Sequence, residues 1–357
     1  MAFLSDAEID ALRIERMILH VVGKKDALFE AQRELPLQET EFFKARIIDE
    51  ASSGVHSFLE HSFVKPILEE ISTEVISFEA GAQRLSQTFF TMHVKSSTSG
   101  AFFVFQLATS EADVKIFALL KYDYREAVEL THVEGRHVLR AIVQAFIKDR
   151  RALQKYCIAR VRGGVAEPLV SASDRMEEAP DLTDYFERYL GVQRSRSTQE
   201  LSGRLREAIR GTLDELKDRI PDGHVGRAVA RAKIALQGRA TVTNEDVFDA
   251  ILHSIGRPDD EDVRAKIERV IRRKLKAKGL DNVAFRPDPQ TLQVQPRNIV
   301  RTFEGVVLEF PGEELNRSVV REELPGGGAT FTITTDRPLV EDGTKPQKID
   351  ADARRLG

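Results

Sequence analysis

The stretch VIRRKLKAKG, Val270 to Gly279, sets five basic residues into the seven positions from Arg272 to Lys278. Such groups make and break no bonds by themselves. Gathered on one face they can neutralise phosphates, each neutralised phosphate adding about −0.9 to the slope of log affinity against log salt. The stretch belongs to EDVRAKIERVIRRKLKAKG, whose apolar residues recur at helical spacing. Stepping about 100° per residue from Val263 puts Ile267, Val270 and Ile271 within about 80° and Leu275 at about 120°, one apolar face. Arg269, Arg272, Arg273 and Lys276 fall between about 180° and 280°, opposite that face. Lys274 and Lys278 project toward the apolar side and are set aside. The helix expected from His224 repeats the pattern, with Val225, Val229, Ala232 and Leu236 inward and Arg227 and Arg231 outward. Arg206 and Arg210 share their face with Glu207 and Asp214, the pattern of a plain solvated surface.

The bland account of a basic helix end is compensation of the helix dipole, at about 0.3–1 kcal/mol per charge and within the last turn. That covers Lys276 and Lys278. Arg269 lies more than two turns before Gly279, beyond this reach. The six residues Arg269, Arg272, Arg273, Lys276, Arg227 and Arg231 are therefore the candidate DNA contacts. No run of aromatics accompanies them, so stacking on single strands is not indicated.

Other chemistries find less. The one Gly-Lys pair, Gly23-Lys24, is followed by Lys25 and lacks the upstream glycine of a phosphate loop. His56 and His61, like His132 and His137, are five apart, about 500° around a helix, so their rings diverge rather than chelate. Asp113-Val114-Lys115 is the closest approach to a metal-dependent nuclease pattern. An exposed hairpin edge explains it equally. Cys157, the single cysteine, sits in the apolar run YCIARV and reads as a buried structural thiol. No catalytic residue, metal or cofactor is expected.

Positioning these residues takes a chain of 357 residues, long enough for two domains. Its net charge of −4 is unevenly spread, with −6 in residues 1–100 and +5 in residues 201–300. Charges are felt over only about 8 Å at physiological salt, so the acidic half does not veto a polyanion partner. The acidic opening MAFLSDAEIDALRIE lacks the apolar core of a secretory signal, and no apolar run reaches membrane-helix length. A cytoplasmic protein is expected.

Along the chain, ALRIERMILHVV suits an opening strand, Glu39–Leu59 and Phe78–Val94 have helical spacing, and AFFVFQLATSEADVKIFALLKYDY reads as a long hairpin. ALQKYCIARV is a further strand, and VLRAIVQAFI fits strand or helix. DLTDYFERYLGV is an amphipathic helix ended by Gly191, and the polar VQRSRS after it reads as a linker. Helices follow at about 198–219, 224–237, 244–255 and 260–278, with capping-box spacing at Ser197/Glu200 and Thr243/Asp246. NVAFRP, GVVLEF and ATFTITTD are short β-prone runs. The expected fold is α+β: a mixed-sheet α/β domain over 1–192, a linker at 193–199, a helical plus β domain over 200–342, and a disordered tail from 343 to 357.

IERMILHVV, the hairpin AFFVFQLATSEADVKIFALLKYDYREAVEL, ALQKYCIARV and above all YFERYLG resemble, in order and character, the 37-kilodalton nucleoid-associated proteins of bacteria. GVVLEF and ATFTITTDRPL resemble the C-terminal β part of that family, so the resemblance spans most of residues 10–340. It implies a nucleoid location, binding of double-stranded DNA without catalysis, and a homodimer, but it carries no DNA-contact motif onto particular residues. Two other readings stand beside it. One is a protein-binding adaptor in a phage-defence or mobile-element system. The other is a nuclease built around Asp113 and Lys115.

Overall fold

The computed structural model describes residues 3–23, 28–92, 99–123, 125–133, 136–145, 152–221, 223–294 and 297–335, with backbone alone for 125–133 and 136–145. The chain forms two compact units, Met1–Gln293 and Val294–Gly357. The first opens with α1 (Asp6–Ala11), β1 (Arg13–Val22), α2 (Thr40–Glu50), β2 (His56–Phe58), α3 (Val64–Ser72) and α4 (Phe78–Met92). Strands β3 (Gly100–Ala108), β4 (Val114–Asp123), β5 (Arg125–Val133), β6 (Arg136–Ala145), β7 (Leu153–Arg162), β8 (Val165–Ala166) and β9 (Leu169–Asp174) follow. After α5 (Asp184–Leu190) and β10 (Val192–Arg194) come α6 (Thr198–Glu215), α7 (Val225–Gln237), α8 (Asn244–Ser254), α9 (Glu261–Ala277) and α10 (Pro289–Leu292). Among the described residues the second unit contains two hairpins, β11 (Arg297–Arg301) with β12 (Val307–Pro311) and β13 (Val319–Glu323) with β14 (Ala329–Ile333). The fold is α+β.

The main sheet runs β1-β3-β4-β7-β9-β2-β10, with β8 paired to β7. Every pairing in it is antiparallel, which corrects the expectation of a mixed sheet. The central strands are apolar on both faces because both are covered. Phe102, Val104, Phe117, Leu119, Cys157 and Ala159 meet α3, α4 and α5 on one side. Phe103, Phe105, Ile116, Ala118, Leu120 and Ile158, displaced by one residue and so on the opposite face, meet α1 and α2. This is why the strands read as continuous apolar runs instead of alternating ones. Cys157 is buried as expected, and burial pushes its thiol up to about 12.

The expected linker is structured. Val192–Arg194 pairs with β2, and the Ser195 amide donates to the Val55 carbonyl at 2.8 Å. Those bonds tie the segment into the first unit, whose compact boundary falls at Gln293/Val294. VLRAIVQAFI contributes strand β6, paired with β5. NVAFRP makes only an isolated bridge, Phe285 to Val242. The tail 343–357 lies outside the described residues. Among those residues no helix is long and apolar enough to cross a membrane.

The helices after β10 share one core, with Leu201, Leu205, Ile209 and Leu213 of α6, Val229 and Leu236 of α7, Val247 and Ile251 of α8, and Ile267, Ile271 and Leu275 of α9. Thr243 and Asp246 form a reciprocal capping box at α8. At α6 only half of it forms. Ser197 accepts from the Glu200 amide, while the Glu200 carboxylate turns to Arg204 at 2.7 Å, a charged donor one turn along.

YFERYLG is a packing motif. Tyr185, Phe186, Tyr189 and Leu190 are buried, with the Tyr189 ring edge-on to Phe89 at 5.0 Å. Gly191 closes α5 at φ +61, and a Cβ there would lie 2.5 Å from the Ser62 Cα. Left-handed backbone costs an L residue roughly 1–2 kcal/mol and forced overpacking roughly 1–3 more. Gly191→Ala is therefore expected to lose about 2–4 kcal/mol in urea unfolding. An unchanged midpoint would contradict this packing.

Candidate nucleic-acid interface

Helix α9 is held by its apolar face and capped at its start by Asp260, whose carboxylate accepts the amides of Asp262 and Val263. Its last-turn carbonyls are met by the backbone that follows, those of Lys274 and Leu275 by the Lys278 amide and that of Lys276 by the Gly279 amide, and the carbonyls just past the helix are taken by arginines. Arg196 donates to the Gly279 carbonyl at 2.8 Å and Arg204 to that of Lys278 at 3.2 Å. The basic residues of α9 are thus not needed to satisfy the helix end.

The four α9 candidates stand on the exposed side, but not as four free charges. Arg272 reaches back one turn to Glu268 at 2.6 Å, Arg273 pairs with Glu215 at the end of α6, and Lys276 pairs with Asp6 of α1 at 2.6 Å. Arg269 donates to the carbonyl of Ala265 and, among the described residues, forms no ion pair with a carboxylate. Lys274 and Lys278 differ from the helical projection. Lys274 meets Glu215 at 3.0 Å and Lys278 meets Glu207 at 2.6 Å, because their long stems cross the apolar rim and carry the ammonium to the carboxylates of α6. The Lys274 and Arg273 bonds hold Glu215 below the usual carboxylate range.

These ion pairs are solvent-exposed, with Arg272 at 66% and Arg273 at 62% side-chain exposure. Exposed pairs contribute about 0–1 kcal/mol each. Breaking any one of these pairs therefore costs little.

On α7 the two candidates part. Arg227 is exposed and, among the described residues, has no carboxylate ion pair, whereas Arg231 donates to the Ser254 carbonyl at 2.9 Å and so fastens the end of α8. Both α7 and α9 pack on α6 and α8.

Beside α9 lies a cleft of about 780 Å³, lined in part by Arg273 and Lys276 and completed by Arg160 and Arg162 of β7, Arg196, Glu8, Glu111 and Glu167. Arg160 is saturated: it bonds both oxygens of Glu8 at 2.9 Å, Glu167 at 2.9 Å and the Phe3 carbonyl. Arg162 pairs with Glu111 and Glu167. Sequence reasoning passed over Arg160, Arg162 and Arg196. The two β7 arginines were legible as a pair two apart, on one face of a strand, had RVRGG been projected as a strand end. Arg196 was read as part of a free linker.

The nuclease candidates do not converge. Lys115 bonds Glu15 of β1 at 3.1 Å, and Asp113 lies in the hairpin turn, its carbonyl accepting from Gly163. Among the described residues no group of three His, Cys, Asp or Glu side chains could hold a metal ion. His56 is buried within β2, and the side chains of His132 and His137 lie outside the described residues. No protein-family model matches the sequence, and no curated protein matches it.

Proposed function

We propose that this protein is a nucleoid-associated, non-enzymatic protein that binds double-stranded DNA with little regard to sequence and acts as a homodimer. The observation that carries the reading is the exposed side of α9 with Arg269, Arg272, Arg273 and Lys276, held in place by the apolar face opposite. The likeness of the strand order and of YFERYLG to the nucleoid-associated family supports it. Contacts from such side chains to phosphates position a duplex and carry no sequence information, which suits sequence-independent binding.

The test is a gel-shift titration of plasmid DNA across salt concentrations. Four phosphate contacts predict a log–log slope near −3.6, about −0.9 for each. Changing Arg269, Arg272, Arg273 and Lys276 together to Glu is expected to abolish the shift at moderate salt while the melting curve stays within a few degrees. A folded sample that fails to shift plasmid at low salt sinks the proposal.

A second reading, a protein-binding adaptor, is favoured by the second unit, where Ile299, Phe303, Val306, Val307 and Ile333 are exposed. Co-purification of a stoichiometric protein free of nucleic acid would select it.

A further inference from the structure

We propose that the cleft beside α9 binds a phosphate-bearing ligand of nucleotide size, with Arg196 as the anchoring cation and Arg273 and Lys276 closing on the phosphate from α9. The first support is size. A volume of about 780 Å³ falls in the range of small-molecule sites, roughly 300–1,000 Å³.

The second is charge. Five Arg and Lys side chains and three Glu side chains line the cleft, leaving two positive charges in excess. A phosphate monoester carries about −1.5 to −2 near neutral pH, which matches that excess. The three carboxylates are committed to Arg160 and Arg162, so those arginines form wall and not contact.

The third support is the condition of the remaining cations. Arg196 donates to a neutral carbonyl and, among the described residues, forms no ion pair with a carboxylate. It is half-buried, and burial together with neighbouring Arg204 lowers its pKa against the opposing charge of Glu200, so an anion placed at this guanidinium would offset the shift. Arg273 and Lys276 are paired with Glu215 and Asp6, which lie outside the lining and are themselves open to solvent, Asp6 at 88%. Exchanging those partners for a phosphate costs little. Phe3, Leu169, Ala277 and Gly54 supply apolar wall against which the organic part of the ligand can lie.

A free nucleotide and a 5′-phosphorylated strand end present the same chemistry to this site, so both are used as probes. Calorimetric titration of the full chain with ATP at low salt is expected to give a Kd below about 1 mM. Arg196→Gln, which removes the charge and keeps a polar side chain, should weaken binding about tenfold or more, the scale of a lost charged hydrogen bond. Arg273→Gln, at an exposed position, guards against a folding artefact and should weaken it in the same direction. A blunt duplex bound more tightly with its 5′-phosphates than without them, where ATP fails, would assign the strand end as the source.

Circular plasmid has no ends, so its gel shift reports the α9 face alone. Plasmid binding retained by Arg196→Gln separates this site from the duplex-binding one. No binding of ATP together with no preference for a 5′-phosphate overturns the proposal. So does ATP binding that both variants leave intact.

Discussion

Asp174→Ala is expected to destabilise the protein by about 3–5 kcal/mol, the cost of stranding one member of a buried ion pair. Asp174 and Lys155 are 0% and 1% exposed in their side chains and are bonded to each other. The carboxylate also accepts from the Thr183 amide at 3.1 Å, the Thr183 hydroxyl and the Met176 amide at 3.0 Å. It therefore holds the start of α5, the helix of YFERYLG. Without it, the Lys155 ammonium keeps, among the described residues, the Thr183 hydroxyl at 3.2 Å, the faces of Tyr185 and Phe186 at 4.7 and 5.4 Å and the charge of Glu177, with Lys121 opposite it across the β4–β7 register.

Burial already lowers the Lys155 pKa, and Asp174 opposes that shift. Removing Asp174 lowers it further, so the variant's folded state holds Lys155 with a pKa below its unfolded value. Stability of the variant should then rise with pH between those two values, because the unfolded state binds more protons there. Adding Lys155→Met to Asp174→Ala should recover part of the loss. Urea unfolding near pH 7 and near pH 9 reads both effects. A loss under about 1 kcal/mol, or no gain toward alkaline pH, would show that the pair does not hold this corner of the core.

Elements with one period and clear punctuation were legible in the sequence. The hairpin β3–β4, strand β7 and helices α6 to α9 follow directly from apolar spacing and from caps such as Thr243/Asp246. What local pattern cannot carry is long-range pairing. VQRSRS is polar and short, the composition of a linker, yet it supplies β10 because β2, more than 130 residues earlier, offers an unpaired edge. The all-antiparallel order was equally hidden, since strands covered on both faces look alike whichever way they run.

The basic face of α9 was legible because helical geometry fixes which residues share a side. Its neutralisation was not. Glu215 and Asp6, which meet Arg273 and Lys276, come from α6 and α1, and no spacing within α9 points to them. Arg231 shows the same limit from the other direction. Its outward projection was sound for an isolated helix, but α8 ends beside it and takes its guanidinium.

Between about pH 7.5 and pH 5 the protein is expected to lose about 4 kcal/mol of stability, shared by two buried histidines. His20 is fully buried and His56 is 2% exposed, and burial lowers each imidazole from its usual 6.5 to about 4. His20 Nε2 accepts from the Gln32 amide at 3.1 Å, an arrangement that requires that nitrogen to be unprotonated, and its Nδ1 has no hydrogen-bond partner among the described residues. The Nδ1 of His56 likewise has no hydrogen-bond partner among those residues, and Arg194 nearby disfavours a second positive charge more than Asp181 favours it. In the unfolded chain both rings take a proton near 6.5, while in the fold they resist until about 4. The unfolded state thus binds more protons in that window, so the stability present above it is lost as pH falls. At about pH 5 the loss is roughly 2 kcal/mol per ring, before most carboxylates titrate. Urea midpoints followed over this range should fall with a slope approaching two protons, and His56→Leu should bring it toward one. A midpoint flat over the same range would mean that these rings accept protons in place.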